Sequence, residues 1–290
     1  METVVVRDEQ LNGTVSARSR LSSLVERRPL TSFFVLAYAI SWALWLPLAG
    51  AGSSTGVLLI PLLLGSLVPS AVAIGLIALL HGRAGVRQQF HRLRLWRVGA
   101  GWWAAVVLLS TLGVVAVGLS ILLGGEAPDL TVAIPGIVFL FIFSIFPGSA
   151  GGEELGWRGF ALPHLQARRS ALGASVVLGV AWGVWHLPLY LIGTDNRPLS
   201  LFAPWILLTV AASVTLTWMY NGTGGSLLIV VLFHAASNLP LTVLLEPLED
   251  QAALPFLIYV ALMTVAASVV VAATGPATLS RTHVKQIAVP

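Results

Sequence analysis

Cysteine is absent from this 290-residue chain. Disulfides and thiolate metal sites are thereby excluded. Charge is scarce: 10% of residues are Asp, Glu, Lys or Arg, against 57% hydrophobic. That balance, with a mean hydropathy of +0.89, excludes an ordinary soluble domain. Repeated apolar stretches of about 20 residues mark transmembrane helices instead. The N-terminus, METVVVRDEQLNGTVSARSR, lacks the short apolar core of a secretory signal peptide. There is no internal repeat and no low-complexity tract. No His-Glu-x-x-His is present, and no Lys follows GTGGS at 222–226, which excludes the familiar zincin and phosphate-loop arrangements. The pI of 10.1 would suit nucleic acid. The basic residues lie instead in short flanks beside apolar runs, as in membrane proteins, so no nucleic-acid partner is expected.

Eight apolar segments stand out, at 32–51, 57–80, 102–123, 132–152, 171–192, 201–220, 226–245 and 253–274. Arg7, Arg18, Arg20, Arg27 and Arg28 precede the first. Arg83, Arg87, Arg92, Arg94 and Arg97 follow the second, Arg168 and Arg169 follow the fourth, and Arg281 and Lys285 follow the eighth. Eight spans put all of these on one side. Glu126, Asp129, Asp195, Glu246, Glu249 and Asp250 fall on the other side, with Arg197 as the one base among them. The positive-inside rule then predicts an all-α, multi-pass protein of the plasma membrane with both termini cytoplasmic. The expected organisation is a tail at 1–30, one membrane domain at 31–275 and a tail at 276–290. The stretch 132–170 is too long for one straight span. Pro147, Gly148 and the Gly151-Gly152 pair are expected to kink it, and Pro163 to end or bend it again.

Ten of the twelve acids fall in termini or loops. The other two, Glu153 and Glu154, sit inside apolar sequence, as do His186 and His234. A charge in the bilayer costs a few kcal/mol, so such residues need partners or water and are functional candidates by default. Glu154 and Arg158 are four apart and share a helical face, which predicts a pair. Glu153 then points about 100° away around the helix. Trp182 and His186 are four apart, and so are His234 and Asn238. Three segments are therefore expected to bring Glu153, His186, His234 and Asn238 around one polar cavity.

That set suits hydrolysis. A carboxylate in apolar surroundings is suited to act as a general base near neutral pH. A histidine beside it helps to hold a water, while a second histidine and an amide serve an oxyanion. Glu153, His186 and His234 are also a candidate set for Zn²⁺, which would activate a bound water. Blander readings stand beside these. Glu154–Arg158 explains itself as a structural ion pair but leaves Glu153 without a partner, and His234 with Asn238 would serve as interhelical glue. A proton-relaying transporter and a non-catalytic membrane scaffold are the competing functions.

GGEELGWRG, then WGVWH, then HAASN resembles the CPBP family, the Abi or type II CAAX prenyl protease group of intramembrane proteases. The first family motif, a glutamate pair and a following arginine, is matched by Glu153, Glu154 and Arg158. The second is usually Phe-x-x-x-His and here runs from Trp182 to His186. The third is matched by His234 and Asn238. The resemblance implies an eight-helix intramembrane endopeptidase that cuts a membrane-associated protein or peptide, such as a prenylated CAAX-like protein or a peptide precursor. It implies Glu153 and His186 as the water-activating pair, Glu154 held by Arg158 as a positioning group, and His234 and Asn238 as oxyanion donors. It leaves both a metal-assisted and a metal-independent route open.

Overall fold

The computed structural model of the protein describes residues 23, 25–49, 59–128, 133–146, 148–192, 198–245 and 252–281. Most of both expected tails, Pro147, and the loop charges Asp129, Asp195, Arg197, Glu246, Glu249 and Asp250 lie outside these residues.

The helices are α1 (Pro29–Trp45), α2 (Leu59–His91), α3 (Ala100–Ser110), α4 (Leu112–Leu122), α5 (Ala133–Ile145) and α6 (Ser149–Gly156). They continue with α7 (Leu162–Gln166), α8 (Ala171–Trp185), α9 (Leu187–Ile192), α10 (Phe202–Gly222), α11 (Leu227–Pro240) and α12 (Ala253–Thr274). No strand occurs among the described residues. Among the described residues, eight stretches are long and apolar enough to cross a membrane: Pro29–Leu48, Leu59–Arg94, Ala100–Leu122, Gly136–Gln166, Ala171–Ile192, Leu199–Gly222, Leu227–Leu245 and Ala253–Thr274. The protein is thus an all-α, multi-pass membrane protein, as its hydropathy pattern predicts. In hydrocarbon every backbone polar group needs a protein partner, which is why helices carry the chain across.

The fourth span departs from its expected shape. The break lies between α5 and α6, where Gly148 is extended (φ −74°, ψ −165°). Gly151 and Gly152 lie within α6 and stay helical. Their use is close packing. A Cβ on Gly152 would stand 2.7 Å from the Ser66 carbonyl oxygen, and one on Gly156 would stand 2.5 Å from that of Pro69. Pro163 does not end the helix. It sits in the first turn of α7, just past a π-helical turn at Trp157–Ala161.

Packing places α6 at the centre. It lies against α2 and α11, α11 also meets α3, α5 and α10, and α8 packs along α10. Outward-facing residues such as Val107, Leu108, Phe139 and Val269 are more than 60% exposed in the isolated chain. That is the expected face for lipid, which offers apolar surface in place of water.

The close α2–α6 contact predicts that Gly156→Ala destabilises the protein by about 1–3 kcal/mol, the usual cost of overpacking. Gly75→Ala, where a Cβ would meet nothing within 4 Å, serves as the control. Thermal unfolding of the purified variants in detergent checks this. Equal midpoints for the two variants would contradict the packing argument.

Candidate active site

The motif residues come from α6 and the π turn (Glu153, Glu154, Arg158), the α8–α9 joint (Trp182, His186) and α11 (His234, Asn238). Each segment carries a proline just beyond its motif: Pro163, Pro188 and Pro240. A proline cannot donate to the carbonyl four residues back. Each therefore loosens the helical ladder beside a site residue. Between Trp157 and Ala161 the ladder widens into the π turn, with the Leu162 N–H donating to the Trp157 carbonyl. Such turns recur at functional sites. At Pro188 the helix α8 stops, and His186 becomes the joint between α8 and α9.

The second span secures the motif helix. Ser70 Oγ donates to the Gly151 carbonyl (3.0 Å), Gln89 Nε2 to that of Leu155 (2.8 Å), and Arg92 Nη1 to that of Gly159 (3.3 Å). These acceptors are four residues apart, so they lie along one face. Gly159 is also the carbonyl that Pro163 leaves without its usual helical donor. Arg92 Nη1 meets Tyr220 Oη of α10 as well, at 2.9 Å.

Glu154 and Arg158 form the expected pair. Arg158 Nη1 donates to Glu154 Oε1 at 2.8 Å, and both side chains are fully buried. The same oxygen accepts from His234 Nδ1 at 2.7 Å. Helices α6 and α11 are thereby tied through one carboxylate oxygen. The Arg158 guanidinium lies 4.5 Å from the Trp182 ring centroid, a cation–π contact worth about 0.5–2 kcal/mol. Glu153 is not left without a partner: Trp182 Nε1 donates to its Oε2 at 2.5 Å. One indole thus serves both carboxylates, Glu153 through its N–H and Glu154 through the guanidinium against its face.

His186 Nδ1 is 2.8 Å from the Trp182 carbonyl oxygen. A carbonyl only accepts, so this bond holds a proton on Nδ1 and makes Nε2 the acceptor nitrogen of the neutral ring. Trp185 and Trp205 stand edge-on to the imidazole, with centroids at 4.8 Å and 5.0 Å. Asn238 Nδ2 donates to Ser149 Oγ at 3.0 Å.

Glu153, His186, His234 and Asn238 all line one cavity of about 420 Å³. Glu154 and Arg158 do not line it; they lie behind its wall. The remaining wall is mostly apolar and includes Leu62, Leu140, Phe143, Trp205 and Leu208. The candidate metal set, Glu153, His186 and His234, shares this cavity. Among the described residues, however, no three His, Cys, Asp or Glu side chains are grouped to hold a metal ion. Each of the three also has a protein partner: Trp182 Nε1, the Trp182 carbonyl and Glu154.

Several participants carry no spacing signal. The Trp182 indole bond to Glu153 and the His234 bond to Glu154 join separate spans, and Ser70, Gln89 and Arg92 act from a segment without a motif. Ser149 has a faint signal, since it precedes Glu153 by one helical turn.

The buried Glu154–Arg158–His234 cluster predicts a specific stability pattern. Arg158→Met strands a buried carboxylate and should cost about 3–5 kcal/mol. Adding Glu154→Gln should return part of that loss. Thermal unfolding of both variants checks it, and a double variant no more stable than Arg158→Met would contradict it.

Residues 131–240, which hold all three motifs, match the family model described as "Type II CAAX prenyl endopeptidase Rce1-like". The chain is also 26% identical over 233 residues to the CAAX prenyl protease 2 of Methanococcus maripaludis, covering 71% of this chain and 82% of that relative. The segment that carries all three motifs is therefore similar to the Rce1-like, type II CAAX prenyl endopeptidases.

Proposed function

We propose that this protein is a CAAX-type intramembrane endopeptidase in which Glu153 activates the attacking water. The observation that carries the reading is the shared cavity: Glu153, His186, His234 and Asn238, from three spans, line one space whose remaining walls are mostly apolar. The similar archaeal protein is named a CAAX prenyl protease, and the matching family model a CAAX prenyl endopeptidase. The apolar walls suit the hydrocarbon of such a membrane-associated protein or peptide.

The chemistry follows from the hydrogen bonds. Trp182 occupies Glu153 Oε2, which leaves Oε1 for a water. That water donates one proton to Glu153 Oε1 and a second hydrogen bond to Nε2 of His186. Its lone pair then faces the scissile carbonyl, the geometry that general-base catalysis requires. Glu153 takes the proton as the water oxygen bonds to the carbonyl carbon, and passes it to the leaving amine as the C–N bond breaks. The oxyanion that forms between these steps is met by Asn238 Nδ2, with His234 on the same wall. Neutral His234 donates through Nδ1 to Glu154. It serves the oxyanion through Nε2 as an imidazolium, whose charge the Glu154 carboxylate offsets. Glu154 and Arg158 act through His234 and touch no substrate. No step runs through a metal.

The charge asymmetry supports cytoplasmic termini.

Two outcomes test this. Glu153→Gln should abolish cleavage at unchanged unfolding temperature, read as protein termini present in membranes of wild-type cells and missing from the variant at matched expression. Identical termini would overturn the assignment. Trp182→Phe, which keeps the ring and removes the indole N–H, should lower kcat about 10–100-fold, as expected when a hydrogen bond that orients a catalytic group is lost. An unchanged kcat would show that Glu153 needs no such holding.

A further inference from the structure

Among the hydroxyls that line the cavity, that of Ser149 contacts Asn238 and has no task in the mechanism above. Ser149 is the first residue of α6 and lies one helical turn before Glu153, on the same face. Both line the cavity, and Asn238 lines it between α11 and α6. Asn238 Nδ2 donates to Ser149 Oγ at 3.0 Å. Among the described residues this is the one hydrogen bond of the serine side chain.

The geometry points to Ser149 as a second, neutral donor to the oxyanion, working as a unit with Asn238; this rests on the peptidase reading above. The hydroxyl accepts one amide proton, and its own proton has no acceptor among the described protein atoms. A hydroxyl both accepts and donates, so that proton is available to the cavity. Accepting from Asn238 also polarises the O–H and strengthens its donation. The bond in turn fixes the amide plane of Asn238, so its second N–H is aimed rather than rotating. His234 reaches an oxyanion only with both ring nitrogens protonated, because Nδ1 is committed to Glu154. Ser149 and Asn238 need no change of protonation. Preorganised donors of this kind are the main source of stabilisation for a tetrahedral intermediate. No covalent bond forms to Ser149 Oγ, and its proton stays on the oxygen throughout.

The backbone before Ser149 supports this placement. Gly148, just before Ser149, has its own N–H bonded to the Phe143 carbonyl at 2.7 Å. The α5–α6 break is thereby folded back tightly, which sets the first turn of α6 against the cavity.

The test uses the full chain in liposomes, with a farnesylated CAAX-type peptide as probe, and compares wild type, Ser149→Ala, Ser149→Thr, Asn238→Ala and the Ser149→Ala/Asn238→Ala double variant. Removing one oxyanion donor should cost about 10–1,000-fold in kcat, with KM and unfolding temperature close to wild type for Ser149→Ala. Ser149→Thr, which keeps a hydroxyl, should recover much of the rate. The double variant should lose less than the product of the two single losses, because the two donors share a bond. Three results would overturn the proposal: an unchanged kcat for Ser149→Ala, a loss that threonine does not restore, or a loss matched by a fall in unfolding temperature. A covalent adduct on Ser149 would overturn it too, by making the residue a nucleophile. Wild type inert where its folded state is intact would overturn the peptidase reading itself, whereas active wild type with an unaffected Ser149→Ala would overturn this inference alone.

Discussion

One carboxylate oxygen, Glu154 Oε1, holds the site together. It accepts from Arg158 in its own helix and from His234 across the α6–α11 contact, at 2.8 Å and 2.7 Å. Both bonds are sealed from solvent. In such surroundings charge-assisted bonds are short and strong, while any unpaired charge is severely penalised. The pair therefore acts as a constraint as well as a source of stability. Helices α6 and α11 have only a narrow range of positions that satisfy Glu154, and those positions set His234 and Asn238 on the cavity that Glu153 lines. Trp182 extends the constraint to α8, since its ring faces the Arg158 guanidinium and its N–H holds Glu153.

A second constraint comes from the backbone. A proline near each motif removes a helical hydrogen bond, and hydrocarbon offers no water to replace it. The side chains of Ser70, Gln89 and Arg92 supply donors along one face of the motif span. The second span, which carries no catalytic motif, is thus what allows the fourth to hold a break, a π turn and two glutamates without losing its path. Local irregularity places the functional groups, and side chains of the neighbouring second span compensate for it.

Much of this was legible in the sequence. The eight spans follow from apolar runs near the thickness of a bilayer. The glutamates and histidines stood out because charge and imidazole are expensive there. The Glu154–Arg158 pair follows from helical spacing alone. Bonds between spans were not legible, because one sequence gives helix faces but not which faces meet. Trp182 read as the aromatic residue that opens the second motif and became a donor to Glu153; His234 read as an oxyanion donor and also became a partner of Glu154. The Gly151-Gly152 pair read as a break, yet it is helical, and Gly152 lets α2 approach. Glycine's backbone freedom and its small size leave the same mark in a sequence, and the neighbouring helix decides between them.

The central claim is that a carboxylate among hydrocarbon walls performs hydrolysis on a membrane-held peptide. The most direct measurement incubates the purified full chain in liposomes with a farnesylated CAAX-type peptide in ¹⁸O-labelled water, and weighs the products by mass spectrometry. The account requires one internal peptide bond to be cut, with a single ¹⁸O atom in the new carboxyl group from one round of hydrolysis. An intact peptide over folded protein, or ends that form equally in empty liposomes, would contradict it.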